Sequence, residues 1–489
     1  MKSFTIILIS TFLFTSLVSA QVKISFPPNK VVPSERQIQH QEMEVIGFIH
    51  FGLNTFDNRE WGTGKENPEI FDPDSLSTRQ WAEVAKEGGI KELILTAKHH
   101  DGFCLWPSKY TDFSVASSPW KNGNGDVVKA LSDACREDSI KFGIYLSPWD
   151  MHEPTYGTPA YVTHYENQMR ELLSNYGKIS EFWFDGAKSS KFAKKSIYNF
   201  KAWWTLIRTL QPECNIFSDV GPDARWIGNE QGIAGKTNWS MFTPSREGIG
   251  KSHALYQNQG DPFGDKWVPG ECDVSIRPGW FYHPSQDTLV KTPQQLVDLY
   301  YKSVGRNAVL LINMPPNRKG LISKADIKSI TTFHSIIKET FAHNLAKDAV
   351  VFGSSKYRKS PRFDGQNIVD GKPQNSFWAA AANDEKPMLV IQLKKFETFD
   401  RIELQEPIKY GQRIGAFVVQ ALINSKWRDI AQGTTIGYKR LFRIHSVTTN
   451  ELRIRFLSFN NIPALSNFGI FKASIKESNS TAADGNVGN

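Results

Sequence analysis

"ISEFWFDGAKSS", from Ile179 to Ser190, decides how the chain is read. Phe182, Trp183 and Phe184 form a short apolar run typical of a buried strand, and the run stops on Asp185 and Gly186. A strand that ends at once on an acid and a glycine fits a parallel barrel, where the ends of the strands carry the chemistry. Similar runs recur on both sides: "EVIGFIH", "ELILTA", "KFGIYL", "CNIFS", "GECDVS" and "NAVLLIN", all between residues 44 and 313. Amphipathic stretches separate them. "STRQWAEVAKEGG" is one, with Ser77 placed to cap a helix and Gly88 and Gly89 to end it. Alternating strands and helices predict a (β/α)8-like barrel. About seven of its eight strands can be counted, and the Gly-, Asn- and Pro-rich stretch 233–268 reads as long loops. A closing helix is expected from Ser323 to about Asn344, where Ile327, Ile330, Ile337 and Phe341 share one face.

After about Ala349 the period changes. "MLVIQL", "FDRIELQE", "AFVVQALI" and "ELRIRFL" alternate in the manner of half-buried strands, which predicts a C-terminal β-sandwich. The expected divisions are a signal peptide at 1–20, the barrel with its closing helix at 21–345, the sandwich at 346–476 and a disordered tail at 477–489. The first segment has a basic start at Lys2, a short apolar core and a small-residue cleavage site before Gln21, so an exported protein, periplasmic or secreted, is expected. Its apolar core is too short to anchor the chain stably in a membrane.

Composition narrows the classes. Four cysteines, too few and too irregularly spaced for a zinc site or disulfide scaffold, read as core thiols. The 58 basic and 50 acidic side chains are dispersed, so the net charge of +8 does not mark a nucleic-acid surface. There is no serine elbow, P-loop or dinucleotide fingerprint. Aromatic residues make up 12% of the chain, and flat rings pack cores as well as sugars. In "KHHDGF", His99 and His100 at a strand end read as sugar-hydroxyl ligands before metal ligands, because neighbours on an extended chain point opposite ways. What remains is carboxylate chemistry. Asp185, and Glu230 in the loop after a later strand, are the pair that glycosidic bond cleavage needs: one attacks or activates water, the other protonates the leaving oxygen.

"HFGLNTF" (50–56), "REWG" (59–62), "LTAKHHDGF" (95–103), "GIYLSPWD" (143–150), "EFWFDGA" (181–187) and "WIGNE" (226–230) together resemble the α-L-fucosidases of glycoside hydrolase family 29. The resemblance implies that Asp185 is the nucleophile of a retaining reaction that needs no cofactor. It implies that His50, His99, His100, Glu60 and Trp61 bind fucose, and that Tyr145, Trp183 and Trp280 line its pocket. Glu230 is similar to the acid/base of the branch that cleaves α-1,3- and α-1,4-linked fucose from Lewis-type glycans. Glu271 resembles the glutamate of a broader-specificity branch, and is otherwise expected as a pocket residue. The implied partners are fucosylated oligosaccharides and glycoconjugates; a catalytically inactive glycan-binding protein is the alternative of another class. "NIVDGKPQNSFWAA" (367–380) is similar to discoidin-like modules of carbohydrate-binding family 32, with a buttressing role equally open.

Overall fold

The computed structural model describes residues 25–192, 198–246, 248–250 and 253–477. The expected signal peptide lies outside the described residues. Eight parallel strands close into a barrel: β1 (Val45–Ile49), β2 (Glu92–Lys98), β3 (Lys141–Leu146), β4 (Glu181–Trp183), β5 (Asn215–Ser218), β6 (Ala224–Trp226), β7 (Gly270–Ser275) and β8 (Ala308–Asn313). Their order around the barrel is β1-β8-β7-β6-β5-β4-β3-β2. The strand that sequence patterning misses is β6. It has three residues, too few to show a period, and it follows β5 after a tight turn at 219–223 rather than after a helix.

Local sequence explains most helix ends. α1 (Glu35–Met43) precedes β1; α2 (Thr78–Glu87) is capped by Ser77, which accepts a hydrogen bond from the Gln80 amide. Gly89, at φ +72°, lets the chain turn back into β2. The closing helix runs Lys324–Thr340, shorter at its C-terminal end than expected, with Ile330 buried and Ile327, Ile337 and Phe341 packed on the barrel core. Within β4, Phe182 is fully buried, as is Phe184 just beyond it. Burying each such ring contributes about 1.5–3 kcal/mol and fixes the strand end that carries Asp185. The stretch 233–268 is not all loop: it holds a short helix, Ala254–Gln259, and the paired segments Met241–Phe242 and Lys266–Trp267.

The C-terminal part is a six-stranded antiparallel sheet, with a two-residue ribbon, Trp378–Ala379 against Ala464–Leu465, covering its core. It packs on the side of the barrel where strands begin. Lys439 and Tyr438 bind the Glu44 carboxylate just before β1, and the Tyr438 amide donates to Asn307 Oδ1 just before β8. Two residues fall differently from the expected divisions. Phe26 belongs to an aromatic cluster of the second domain with Tyr357, Phe363 and Phe377. Glu477, placed in the tail by composition, is buried and takes ion pairs from Arg401 and Arg443; the rest of the tail lies outside the described residues. All four cysteines are buried free thiols. Among the described residues no helix is long and apolar enough to cross a membrane.

Candidate active site

The C-terminal ends of the strands surround a narrow cavity of about 130 Å³, walled by Phe48, His50, His99, His100, Tyr145 and Trp183, with Asp185 and Glu230 at its mouth beside Trp61 and Trp280. It adjoins an outer chamber of about 480 Å³, whose walls include Asp185, Asp219, Trp226, Glu230 and Asp273. Both carboxylates named from sequence therefore face both spaces.

Asp185 is held at each oxygen. Oδ2 accepts from the Tyr145 hydroxyl at 3.0 Å and Oδ1 from the Ala187 amide at 2.7 Å. Burial and the Asp185 charge push the Tyr145 phenol well above its usual range, so it stays a donor. Two hydrogen bonds fix the carboxylate's orientation and leave lone pairs for an incoming carbon. Gly186 leaves room for its neighbours: a Cβ there would lie 2.5 Å from Asp219 Oδ2 and 2.9 Å from the Gly250 amide.

The three histidines are neutral. Burial depresses His50 to about 3 and His99 well below its ordinary value; it also lowers His100, against the opposing pull of Asp185. Asn313 orients His50, for its Nδ2 donates to Ser275 and to the Trp280 carbonyl, leaving Oδ1 to accept from Nδ1 at 2.9 Å. Ser147 does the same for His100: its hydroxyl donates to the Trp149 carbonyl, so Oγ accepts from Nδ1 at 2.7 Å. Each Nε2 is then a lone-pair acceptor suited to a sugar hydroxyl. His99 and His100 do not diverge as an extended chain would require; their ring centroids are 4.1 Å apart because β2 ends at Lys98 and the chain turns. Lys98 and Asp101 of the same motif are structural. Lys98 pairs with Asp150 in the interior, and Asp101 caps the turn through the Phe103 amide.

Aromatic rings form the remaining walls. Trp183 stacks on Phe217 at 4.1 Å and donates from Nε1 to Glu271. Trp280 reaches Glu230 Oε2 from Nε1 at 3.2 Å, and Trp61, 59% exposed, stands edge-on to His100.

The α-L-fucosidase family profile matches residues 34–338, and the F5/8 type C domain profile matches residues 352–467. α-L-fucosidase 1 of Arabidopsis thaliana is 46% identical over 90% of this chain and 87% of its own. The chain belongs to the α-L-fucosidase family. A solved structure described as a putative α-L-fucosidase from Bacteroides thetaiotaomicron superposes with a TM-score of 0.87 at 38% identity, covering 92% of this chain and all of that one. The glycoside hydrolase family 29 fucosidase of Ruminococcus gnavus, solved with fucose, gives a TM-score of 0.85 at 34% identity over 93% and 97% of the two chains. This protein is accordingly a glycoside hydrolase, an α-L-fucosidase, and its substrates are fucosylated glycans.

Within this fucosidase two expected site residues stand elsewhere. Glu271 is fully buried beneath Trp183, its carboxylate between the indole N–H and His40. The residue that reaches the chamber from β7 is Asp273, two positions on along the same face and roughly 6.6 Å nearer the strand end. Strand alternation could have found it, since Glu271 and Asp273 share a face. Burial first, then the Glu230 charge, raise Asp273 well above the ordinary carboxyl range, while the Trp226 indole donates to it at 2.8 Å. Glu60 lines neither space: it accepts from the Trp280 amide at 2.8 Å and contacts His283 Nε2 at 2.5 Å, so it shapes the Trp280 loop. Asp219, one residue beyond β5, lines the outer chamber and is pushed up to about 6, by burial above all.

Proposed function

We propose that the enzyme is an exo-acting, retaining fucosidase that releases α-1,3- and α-1,4-linked fucose from Lewis-type glycans. Asp185 attacks the anomeric carbon to form a glycosyl-enzyme. Glu230 first protonates the leaving oxygen and then activates the water that hydrolyses the intermediate. The observation that carries this reading is the shared position of Asp185 and Glu230 at the junction of the two spaces. A cavity of about 130 Å³ suits one terminal sugar, and the chamber of about 480 Å³ suits the branched remainder. Binding energy from that remainder can then support reaction at fucose. Burial of Glu271 beneath Trp183 speaks against the broader-branch alternative with that residue as acid/base.

Product analysis tests the reading. Lewis-type trisaccharides are expected to exceed 2′-fucosyllactose and aryl fucosides in kcat/KM by at least about tenfold, roughly 1.4 kcal/mol of transition-state binding. Equal or better turnover of the unbranched compounds would return the enzyme to the broader branch. Export is part of the same proposal, and N-terminal sequencing of the mature protein should begin at Gln21.

A further inference from the structure

At the opposite end of the barrel, α1 brings His40 over the start of the strands, where it meets Glu92 of β2, Glu181 of β4 and Glu271 of β7. All four side chains are at most 1% exposed. Three interior carboxylates need strong compensation, since a buried charge without partners is among the costliest features a fold can carry. The compensation the fold supplies is incomplete. His40 Nδ1 lies 3.1 Å from Glu181 Oε2 and Nε2 lies 3.3 Å from Glu271 Oε2, yet neither nitrogen is aligned for a hydrogen bond. Glu92 Oε2, Glu181 Oε1, Glu271 Oε2 and Asn215 Oδ1 are also buried without a hydrogen-bond partner.

That pattern has a physical meaning. An N–H aimed at its acceptor places the acceptor in line, whereas ligands that flank a common ion stand off that line. One ligand atom each from His40, Glu92 and Glu181 falls within 4.8 Å of the others. A divalent cation bound at about 2.0–2.2 Å reaches ligand atoms up to about 4.4 Å apart, and His40 Nδ1 and Glu181 Oε2, 3.1 Å apart, lie well inside that span. We infer that His40, Glu92 and Glu181 hold a structural divalent transition-metal ion, Zn²⁺ or Mn²⁺, at the floor of the barrel. One imidazole with two carboxylates and no thiolate suits these ions. The surroundings supply the outer contacts that metal ligands require. Ser180 donates to Glu92 Oε1, Asn215 Nδ2 donates to Glu181 Oε2 at 3.1 Å, and the second nitrogen of His40 faces Glu271. Since Glu271 also receives the Trp183 indole, the ion is tied to the floor of the sugar cavity. A cavity of about 320 Å³ at the N-terminal end has His40, Ser180 and Asn215 in its wall. Arg136, Lys141 and Lys178 on its walls oppose cation entry, so loading is best done during synthesis.

The competing arrangement is a proton in place of the metal. Burial lowers the pKa of His40, but Glu181 and Glu271 overcome this and raise it to about 10, so an imidazolium bridging two carboxylates is the metal-free state. The two are separable with the full-length protein expressed in medium supplemented with Zn²⁺ or with Mn²⁺, then gel-filtered. Elemental analysis should find about one ion per chain, and stripping it with dipicolinate should lower Tm by about 5 °C or more. Glu181→Gln and Glu92→Gln should lose the ion, while Glu213→Gln on the cavity wall should keep it. Should the cluster variants fail to fold, Co²⁺-loaded wild type supplies the second readout, a visible absorption displaced by Zn²⁺. Fewer than about 0.1 ion per chain in both preparations, with Tm unmoved by chelator or added metal, overturns the inference in favour of the bridging imidazolium.

Discussion

The two ends of the barrel gather the same kinds of side chain and treat them in opposite ways. At the C-terminal end, Asp185 and Glu230 stand in a partly open space, each receiving a directed hydrogen bond, from Tyr145 and Trp280 respectively, among histidines kept neutral by burial. At the N-terminal end, His40, Glu92, Glu181 and Glu271 are sealed in, and several of their atoms have no aligned partner. The difference is one of access. Carboxylates that must meet a substrate sit where the strands stop and loops begin; those inside the cylinder meet only the protein, or an ion held by it. In a barrel, residues near the strand starts serve stability and those at the strand ends serve chemistry, and the second domain packs on the former end through Glu44 and Asn307.

Substitutions sharpen this contrast, beginning with the largest effect. Asp185→Ala should lower kcat for every fucoside by 10³-fold or more, on the order of the loss seen when a covalent nucleophile is removed, with Tm nearly unchanged in thermal denaturation. Next, Glu230→Ala should cost about 10²–10³-fold on natural glycans and much less on aryl fucosides whose leaving groups need little protonation. Azide should partly restore it. If Glu271→Ala showed that leaving-group dependence instead, the division between the two ends would fail.

Glu271→Gln should act on stability, lowering it by about 1–3 kcal/mol as the contact with His40 is weakened, and its kcat should show no dependence on leaving group. Chemical denaturation and a series of aryl fucosides would measure the two separately. The smallest effect concerns Asp219. Its folded pKa, about 6, lies above the ordinary carboxyl value, chiefly through burial. The folded state therefore binds the proton more tightly than the unfolded chain. Its contribution to stability is full below about pH 4 and is lost as pH rises through about 6. Asp219→Asn keeps an acceptor for the Gly250 amide and should flatten the fall in stability between about pH 4 and 6. An unchanged slope would show that Asp219 titrates normally.

Much of this organisation was legible in the sequence, for identifiable reasons. Phe182 to Phe184 announced β4 because a buried parallel strand needs a continuous apolar run, and the residue after it had to sit at the barrel's rim. Ala224–Trp226 was illegible because three residues carry no period. Pairing of His99 with His100 was hidden by a turn that begins one residue after the strand. Glu271 and Asp273 share a face, and only depth distinguishes them; depth is set by where β7 starts relative to its neighbours, which no local pattern encodes. Phe26 packs on Phe363 and Phe377, more than 300 residues away, so its place in the second domain was beyond any window.

Covalent trapping tests the central claim most directly. A 2-fluoro-fucosyl fluoride forms its glycosyl-enzyme quickly and releases it slowly, so peptide mass spectrometry of the treated wild-type enzyme should find a fluorofucosyl adduct on Asp185, absent from Asp185→Ala. An adduct on another carboxylate, or turnover of the reagent with no adduct and an inverted first product, would contradict Asp185 as the nucleophile of a retaining reaction.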